Sequence, residues 1–294
     1  MLIGIDLGAT EIKGVVLNEE RQVIRQASHP TEDAGQERRW MTNVIKVYQE
    51  LSAGSDQYTV GLSAPGIAAE HNDCILYMPG RLQGLEGLIW SDYLGATTSV
   101  LNDANAAMIA ESRLGAARGY AHAIMLTLGT GVGGSILIRG ELYTGYRQVA
   151  GHLGHISVDR RSDRVAITGM IGSLEDAIGN ATVSQRTLHK YQSTKELVAD
   201  VQAGDALAIG YWRDSIQALA VAIASYANVL SPEVVVLGGG IMQACELLLD
   251  PLGEYLDLYE WRPGGKRTKI VTAMMGAWSG AIGAAIFAQE KRKP

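Results

Sequence analysis

A chain of 294 residues, 47% hydrophobic and 19% charged with a mean hydropathy of +0.06, carries enough apolar material for buried cores and suits two domains of ordinary size, which excludes a disordered segment or a minimal scaffold. A net charge of -6 with a pI near 5.6 argues against a surface built to neutralise nucleic acid or coat an anionic membrane, and leaves small molecules as the expected partners. Cys74 and Cys245, far apart in sequence, offer no disulfide framework and no cysteine metal site, so a cytoplasmic location is expected.

The chain opens directly on a strand, with no basic or signal-type leader. Residues 1–17, MLIGIDLGATEIKGVVL, read as two apolar strands around the small-residue bend Gly8-Ala9-Thr10. Gly8 lets backbone N–H groups approach an anion, Thr10 adds a hydroxyl and Lys13 a positive charge, which together suit phosphate. Asp6 would repel a bare phosphate, so its presence points to a nucleotide carried with Mg2+, with water between the carboxylate and the ion. A third strand is expected over Gln22 to Ala27. A helix is expected over Glu37 to Leu51, where Trp40, Val44, Val47 and Leu51 share one face. Thr59 to Ser63 and Thr98 to Leu101 read as further strands, the second ending in Asn102-Asp103-Ala104-Asn105 before a helix over Ala106 to Leu114 that Gly115 closes. Helix capping accounts for one of these polar residues and not for all three.

A second copy of the opening pattern, IMLTLGTGVGGSILI, follows 121 residues on, with Gly129 where Gly8 stands. Two such hairpins imply a duplicated unit, each half offering a phosphate-facing turn to a shared cleft. Asp205 to Leu230 reads as a buried helix stopped before Pro232, and the strand Val234 to Leu237 runs into Gly238-Gly239-Gly240, where backbone can approach a nucleotide. Ile270 to Ala288 has no charge and approaches the length of a membrane span, but Thr272 and Ser279 interrupt it and Gly276, Gly280 and Gly283 dilute it. A buried strand, a turn and a small-residue helix explain it better, and no membrane role is expected.

Taken in order, DLGATEIK (6–13), NDANAA (102–107), LGTGVGG (128–134), GHLGH (151–155), GSLE (172–175) and LGGG (237–240) resemble the ROK family (repressor, open reading frame, kinase) of sugar kinases, within the actin-like ATPase superfamily. The resemblance implies an α/β protein of the actin-like (ribonuclease H-like) fold, with two duplicated domains around a central cleft. Residues 1–118 would form the first domain and 119–294 the second, with the last helix, 277–294, packing back on the first. It implies an ATP- and Mg2+-dependent kinase acting on a sugar or sugar derivative, and a homodimer. Asp6, Gly8, Thr10 and Lys13 would line one phosphate turn, Gly129, Thr130, Gly131 and Gly133 the other, and Gly238, Gly239 and Gly240 the adenosine side. Asp103 would be the catalytic base, a role the chemistry asks for independently, since phosphoryl transfer needs positioning, charge stabilisation and a carboxylate to accept the hydroxyl proton. Asn102, Asp103, His155 and Glu175 would contact the sugar, joined by Arg81 and His152 at the positions where this chain departs from the family.

Those departures are specific. Arg81 stands where the family has Asn, and His152 where it has the Glu of a Glu-x-Gly-His motif. The added positive or switchable charge suggests a bulkier or anionic sugar derivative in preference to glucose. The family's one-His, three-Cys zinc site keeps only His155, its cysteine positions being Ala166, Thr168 and Ser173, and one ligand cannot hold tetrahedral zinc, so no structural zinc is expected. The rival reading is a sugar-binding or regulatory protein that kept the fold and lost the reaction, which the retained Asp6, Asp103 and both glycine turns disfavour. Polyphosphate as donor is disfavoured by the acidic balance and the intact glycines at 238–240.

Overall fold

The computed structural model describes all residues except 35–36, 54–57, 166–167 and 293–294. Its contacts divide the chain into two units: Met1–Gly119 with Leu142–Ala150 and Met274–Pro294, and Tyr120–Glu141 with Gly151–Ala273.

In the first unit, β1 (Leu2–Leu7) and β2 (Glu11–Leu17) pair antiparallel with Asp6 opposite Lys13, and β3 (Val23–Pro30) continues the meander. The helix α1 (Arg39–Ser52) buries Trp40, Val44, Val47 and Leu51, the face its spacing indicates. Next come β4 (Thr59–Ala64), the small pair β5 (Ile67–Ala68) and β6 (Ile75–Tyr77), α2 (Trp90–Leu94), β7 (Thr98–Asn102) and α3 (Asp103–Leu114). The main sheet runs β3-β2-β1-β4-β7, with β1, β4 and β7 parallel to one another. One apolar layer packs Ile3, Ile5, Leu7, Val60 and Leu62 under α1, and the other packs Leu2, Val15 and Leu17 with Ile109 and the last helix.

The second unit repeats this plan. Strands β8 (Ala123–Leu128) and β9 (Val132–Ile138) form its hairpin, β10 (Glu141–Leu142) lies at the edge, and β11 (Val234–Gly238) and β12 (Lys269–Thr272) add parallel strands in the order β10-β9-β8-β11-β12. Between them lie α4 (Leu174–Ile178), α5 (Val183–Arg186), α6 (Thr194–Gln202), α7 (Ala206–Leu230) and α8 (Glu246–Tyr259). Asp205 caps α7 by accepting from the Ala208 N–H, and Trp212, Ile216, Leu219 and Ile223 bury one side of it against the sheet.

The charge-free stretch before the C-terminus is β12, a 3-10 turn at Gly276–Trp278 and α9 (Ser279–Lys291), and among the described residues no helix is long and apolar enough to cross a membrane. Small residues are needed because α9 lies against backbone of its own unit. A Cβ on Gly4 would meet the Ala281 carbonyl oxygen at 1.8 Å, one on Gly61 the Ala284 oxygen at 1.9 Å, and one on Gly283 the Ala106 oxygen at 1.7 Å.

Several element ends lie a residue or two from the sequence expectation, as at α1, β4 and β7, and two lie three residues away. β3 runs on to Pro30, because its ladder with β2 extends to the Glu11–Pro30 pair. And α3 begins at Asp103, since Asn102 ends β7 and caps the helix, accepting from the N–H groups of Ala104 and Asn105.

Candidate active site

The bend between β1 and β2 is held from behind. The Gly8 carbonyl accepts from the hydroxyl of buried Thr31 at 2.7 Å, the Ala9 carbonyl from Arg81 Nη2 at 2.7 Å, and the Thr10 carbonyl from the Thr31 N–H at 2.9 Å. In a trans peptide the C=O and the following N–H point opposite ways. Fixing the carbonyls of Gly8 and Ala9 therefore turns the N–H groups of Ala9 and Thr10 to the other side of the turn, a concavity of donors suited to phosphate oxygens.

Asp6 sits beside this turn. Its Oδ1 accepts a short hydrogen bond from the Ser63 hydroxyl, across the parallel register that pairs Asp6 with Ser63. Burial raises its pKa, and the Ser63 bond and the Lys13 charge oppose that rise. Gly280 leaves the space this carboxylate fills, since a Cβ there would stand 2.5 Å from its Cγ. Lys13 lies 3.4 Å from Glu11 Oε2, with its ammonium 6.0 Å from the centre of the Trp278 ring.

Asp103, at the first position of α3, keeps a face open to solvent, while its Oδ1 accepts from the Ala104 N–H at 2.8 Å. Crowding by protein atoms and then the Asp6 carboxylate push its pKa up to about 6, against the hydrogen bonds that hold the charged form. A carboxylate so tuned is a competent proton acceptor at neutral pH. Asn102, expected to hold a sugar hydroxyl, spends its Oδ1 on the α3 cap and donates its Nδ2 to the Gly66 carbonyl at 3.0 Å, so its first task is to fix the strand-to-helix junction that presents Asp103.

Arg81, expected to meet substrate, makes two intramolecular bonds: Nε to Asp33 Oδ2 at 2.8 Å and Nη2 to the Ala9 carbonyl. Asp33 Oδ1 also accepts from the Leu82 N–H at 2.8 Å. The charge of Arg81 is thereby compensated, and its loop is tied to the turn between β1 and β2.

In the second unit the hairpin turn is held by the same device. The Gly129 and Thr130 carbonyls accept from the N–H groups of Asn180 and Ala181, each at 2.9 Å, which turns the N–H groups of Thr130 and Gly131 to the opposite side. Glu175 stands against this turn, its Oε2 accepting from the Val132 N–H at 3.0 Å. A Cβ on Gly131 would lie 2.1 Å from that oxygen, whereas Gly133 is the second residue of β9. The rings of His152 and His155 stack with centroids 6.2 Å apart, and burial followed by the His155 charge lowers the pKa of His152, which favours its neutral form. His155 Nδ1 is buried without a partner among the described residues. Gly239, at φ 91°, brings its backbone so near the end of β8 that a Cβ would lie 2.3 Å from the Leu128 oxygen, and Gly238 ends β11 next to it, with Gly240 starting the following 3-10 turn.

At the family's zinc cysteine positions the chain carries no thiolate. Ser173 is buried and caps α4, accepting from the Asp176 N–H at 3.1 Å; Thr168 is exposed; Ala166 lies outside the described residues. Among the described residues no three His, Cys, Asp or Glu side chains come together to hold a metal ion.

Thr31, Ser63, Asp33 and Gly280 belong to the site and carry no motif. Only the strand register and the fold's return at α9 bring them to Asp6 and the first turn.

The ROK family model matches residues 2–291. The chain is 29% identical to a glucokinase of Thermotoga maritima, over 99% of this chain and 98% of that one. It is 30% identical to a glucokinase of Halalkalibacterium halodurans, over 96% and 92%. A crystal structure of a ROK family glucokinase from Streptomyces griseus in complex with glucose and AMPPNP superposes with a TM-score of 0.82 at 26% identity, covering 98% of this chain and 99% of that one.

Proposed function

Because the chain belongs to the ROK family, we propose that it transfers the γ-phosphoryl group of ATP to a hydroxyl of a sugar, with Asp103 as the general base. The observation that carries this reading is the place of Asp103, an exposed carboxylate at the start of α3 whose Oδ1 accepts from the Ala104 N–H; crowding and the Asp6 carboxylate raise its pKa to about 6, which leaves it charged at neutral pH and basic enough to take a proton. The new bond forms between the sugar oxygen and the γ-phosphorus as the bond to the β–γ bridging oxygen breaks; ADP leaves, and Asp103 receives the hydroxyl proton.

Both turns offer N–H groups to phosphate oxygens, and Gly239 lets backbone approach the nucleotide without a side chain. Asp6 fits a divalent cation bound through water, because its carboxylate is crowded by protein and repels Asp103, a situation a cation relieves. That ion, when bound, would neutralise charge on the phosphates. His155 and Glu175 serve as sugar contacts, with His152 beside them.

A neutral sugar suits these residues better than an anionic one. Arg81 already has Asp33 as its counter-charge, and His152 is held towards its neutral form. Two unpaired cysteines support a reducing cytoplasm. A panel of hexoses and N-acetylhexosamines with ATP, read by ADP release, tests the proposal. Release dependent on a neutral sugar is the expected result; nucleotide binding without release on any sugar would favour a protein that binds and does not react.

A further inference from the structure

The second unit contains a cavity that none of the residues above line. It encloses about 410 Å³ between the loop at Val158–Arg164, the end of α4 and α5, and the first half of α7, a volume within the range of about 300–1,000 Å³ usual for small-molecule sites. Glu175 and Ala177 lie two positions apart on α4, which places them on opposite sides of the helix; Glu175 faces the phosphate turn and Ala177 the cavity.

Two guanidinium groups line this cavity, from Arg164 and Arg186, both partly buried. Arg186 is rigidly held: Nη1 donates to the Gly179 carbonyl at 2.6 Å and to Thr182 Oγ1 at 2.8 Å, and Nη2 donates to the Ile178 carbonyl at 3.1 Å. Its Nε is buried with no partner. Among the described residues neither arginine is ion-paired, and the side chain of Arg164 has no hydrogen-bond partner. Burial and then the charge of Arg164 lower the pKa of Arg186 to about 10, so the charge that registers on this guanidinium is another positive one. Asp159 and Asp214 also line the cavity, but both are exposed, so water screens them at its edge.

Two like charges sharing one partly buried cavity, with a donor left unmet, are unfavourable unless an anion completes them. Two carbonyls and the Thr182 hydroxyl take three of the other donors of Arg186 and bring no charge. A dianion balances both guanidiniums where a carboxylate balances one, and a phosphate group at neutral pH carries close to two charges with three acceptor oxygens. We propose that this cavity binds a phosphate group between Arg164 and Arg186, either as inorganic phosphate or as a phosphomonoester whose hydroxyls reach the carboxylates at the edge.

The test is calorimetric titration of inorganic phosphate, and separately of glucose 6-phosphate, into the full chain with a non-hydrolysable ATP analogue and Mg2+ saturating the phosphate turns. One phosphate-bearing ligand per chain is expected under these conditions. Arg164→Gln should weaken it at least tenfold with a melting temperature within about 2 °C of the unmodified chain's, because among the described residues that side chain makes no hydrogen bond or ion pair, and Arg164→Lys should recover part of the affinity. Tighter binding of the sugar phosphate than of inorganic phosphate would make the site a reader of phosphomonoesters, and equal binding a reader of the anion alone; both support it. No binding beyond what the ATP analogue displaces, or an Arg164→Gln affinity equal to that of the unmodified chain, would overturn the proposal. The readout is binding and does not depend on turnover.

Discussion

The carboxylate of Asp6, at the end of β1, raises the pKa of Asp103, at the start of α3, so two acidic groups of one unit oppose each other's ionisation. The pairing follows from the sheet. β1, β4 and β7 are parallel neighbours, their last residues share one end of the sheet, and α3 starts where β7 stops.

A titration tests it without substrate. Asp103 has a pKa raised to about 6 from the ordinary 3.8, so its basic form is complete only above that value and is lost as pH falls through it. Carbon NMR of the Asp103 carboxyl in the ligand-free protein should show a midpoint near 6. In Asp6→Asn the midpoint should fall, because one of the two terms raising it is gone, while crowding keeps it above 3.8. An unchanged midpoint in the variant would separate the two groups.

Arg81 and Asp33 should act as one unit. The bond from Arg81 to the Ala9 carbonyl helps hold the first turn with its N–H groups outward, and Asp33 orients the guanidinium. Removing one charge-assisted hydrogen bond costs about 1.5–3 kcal/mol, so Arg81→Gln should lower kcat/KM for ATP about tenfold or more. Asp33→Asn should do the same, and the double variant should be little worse than either single one. Additive losses would show that the two side chains act separately.

Glu111 is fully buried in α3, and its carboxylate accepts from the N–H groups of Ala116, Met274 and Met275 at 2.7, 2.8 and 2.7 Å. Glu111→Ala leaves three part-buried donors without the carboxylate, one of them on exposed Met274, so urea denaturation should show a loss of about 1–3 kcal/mol. A loss below about 1 kcal/mol would mean that water reaches these groups.

Two glycines of α9 should fail differently. Gly283→Ala drives a Cβ into the Ala106 carbonyl and should destabilise the chain by about 1–3 kcal/mol, as overpacking does. Gly280→Ala meets the Asp6 carboxylate first, and that side chain can give way and lose its place. Its melting temperature should fall less than that of Gly283→Ala and its turnover more.

Much of this was legible before any coordinates. Local signals marked the two hairpins, the amphipathic face of α1 and the span of α7, because each depends on neighbours within a few residues. The paired turns were visible as a repeat, yet the sequence did not say that Thr31, Arg81, Asn180 and Ala181 hold their carbonyls, since those contacts join distant segments. Arg81 read as a substrate residue because an exposed guanidinium has no visible partner in a sequence; its partner Asp33 lies 48 positions earlier. Glu111 gave no sign at all, as one charged residue in a small-residue helix reads as a solvent face.

The central claim is that Asp103 takes the proton of the sugar hydroxyl. Asp103→Asn keeps the size of the side chain and an oxygen for the Ala104 N–H, and removes the base. With a sugar that the unmodified protein phosphorylates, steady-state turnover and ATP affinity are measured on both proteins, with melting temperature as the check on folding. Turnover should fall by on the order of a hundredfold to ten-thousandfold while ATP affinity stays within about twofold. A folded variant that binds ATP and turns over at the original rate would contradict the assignment.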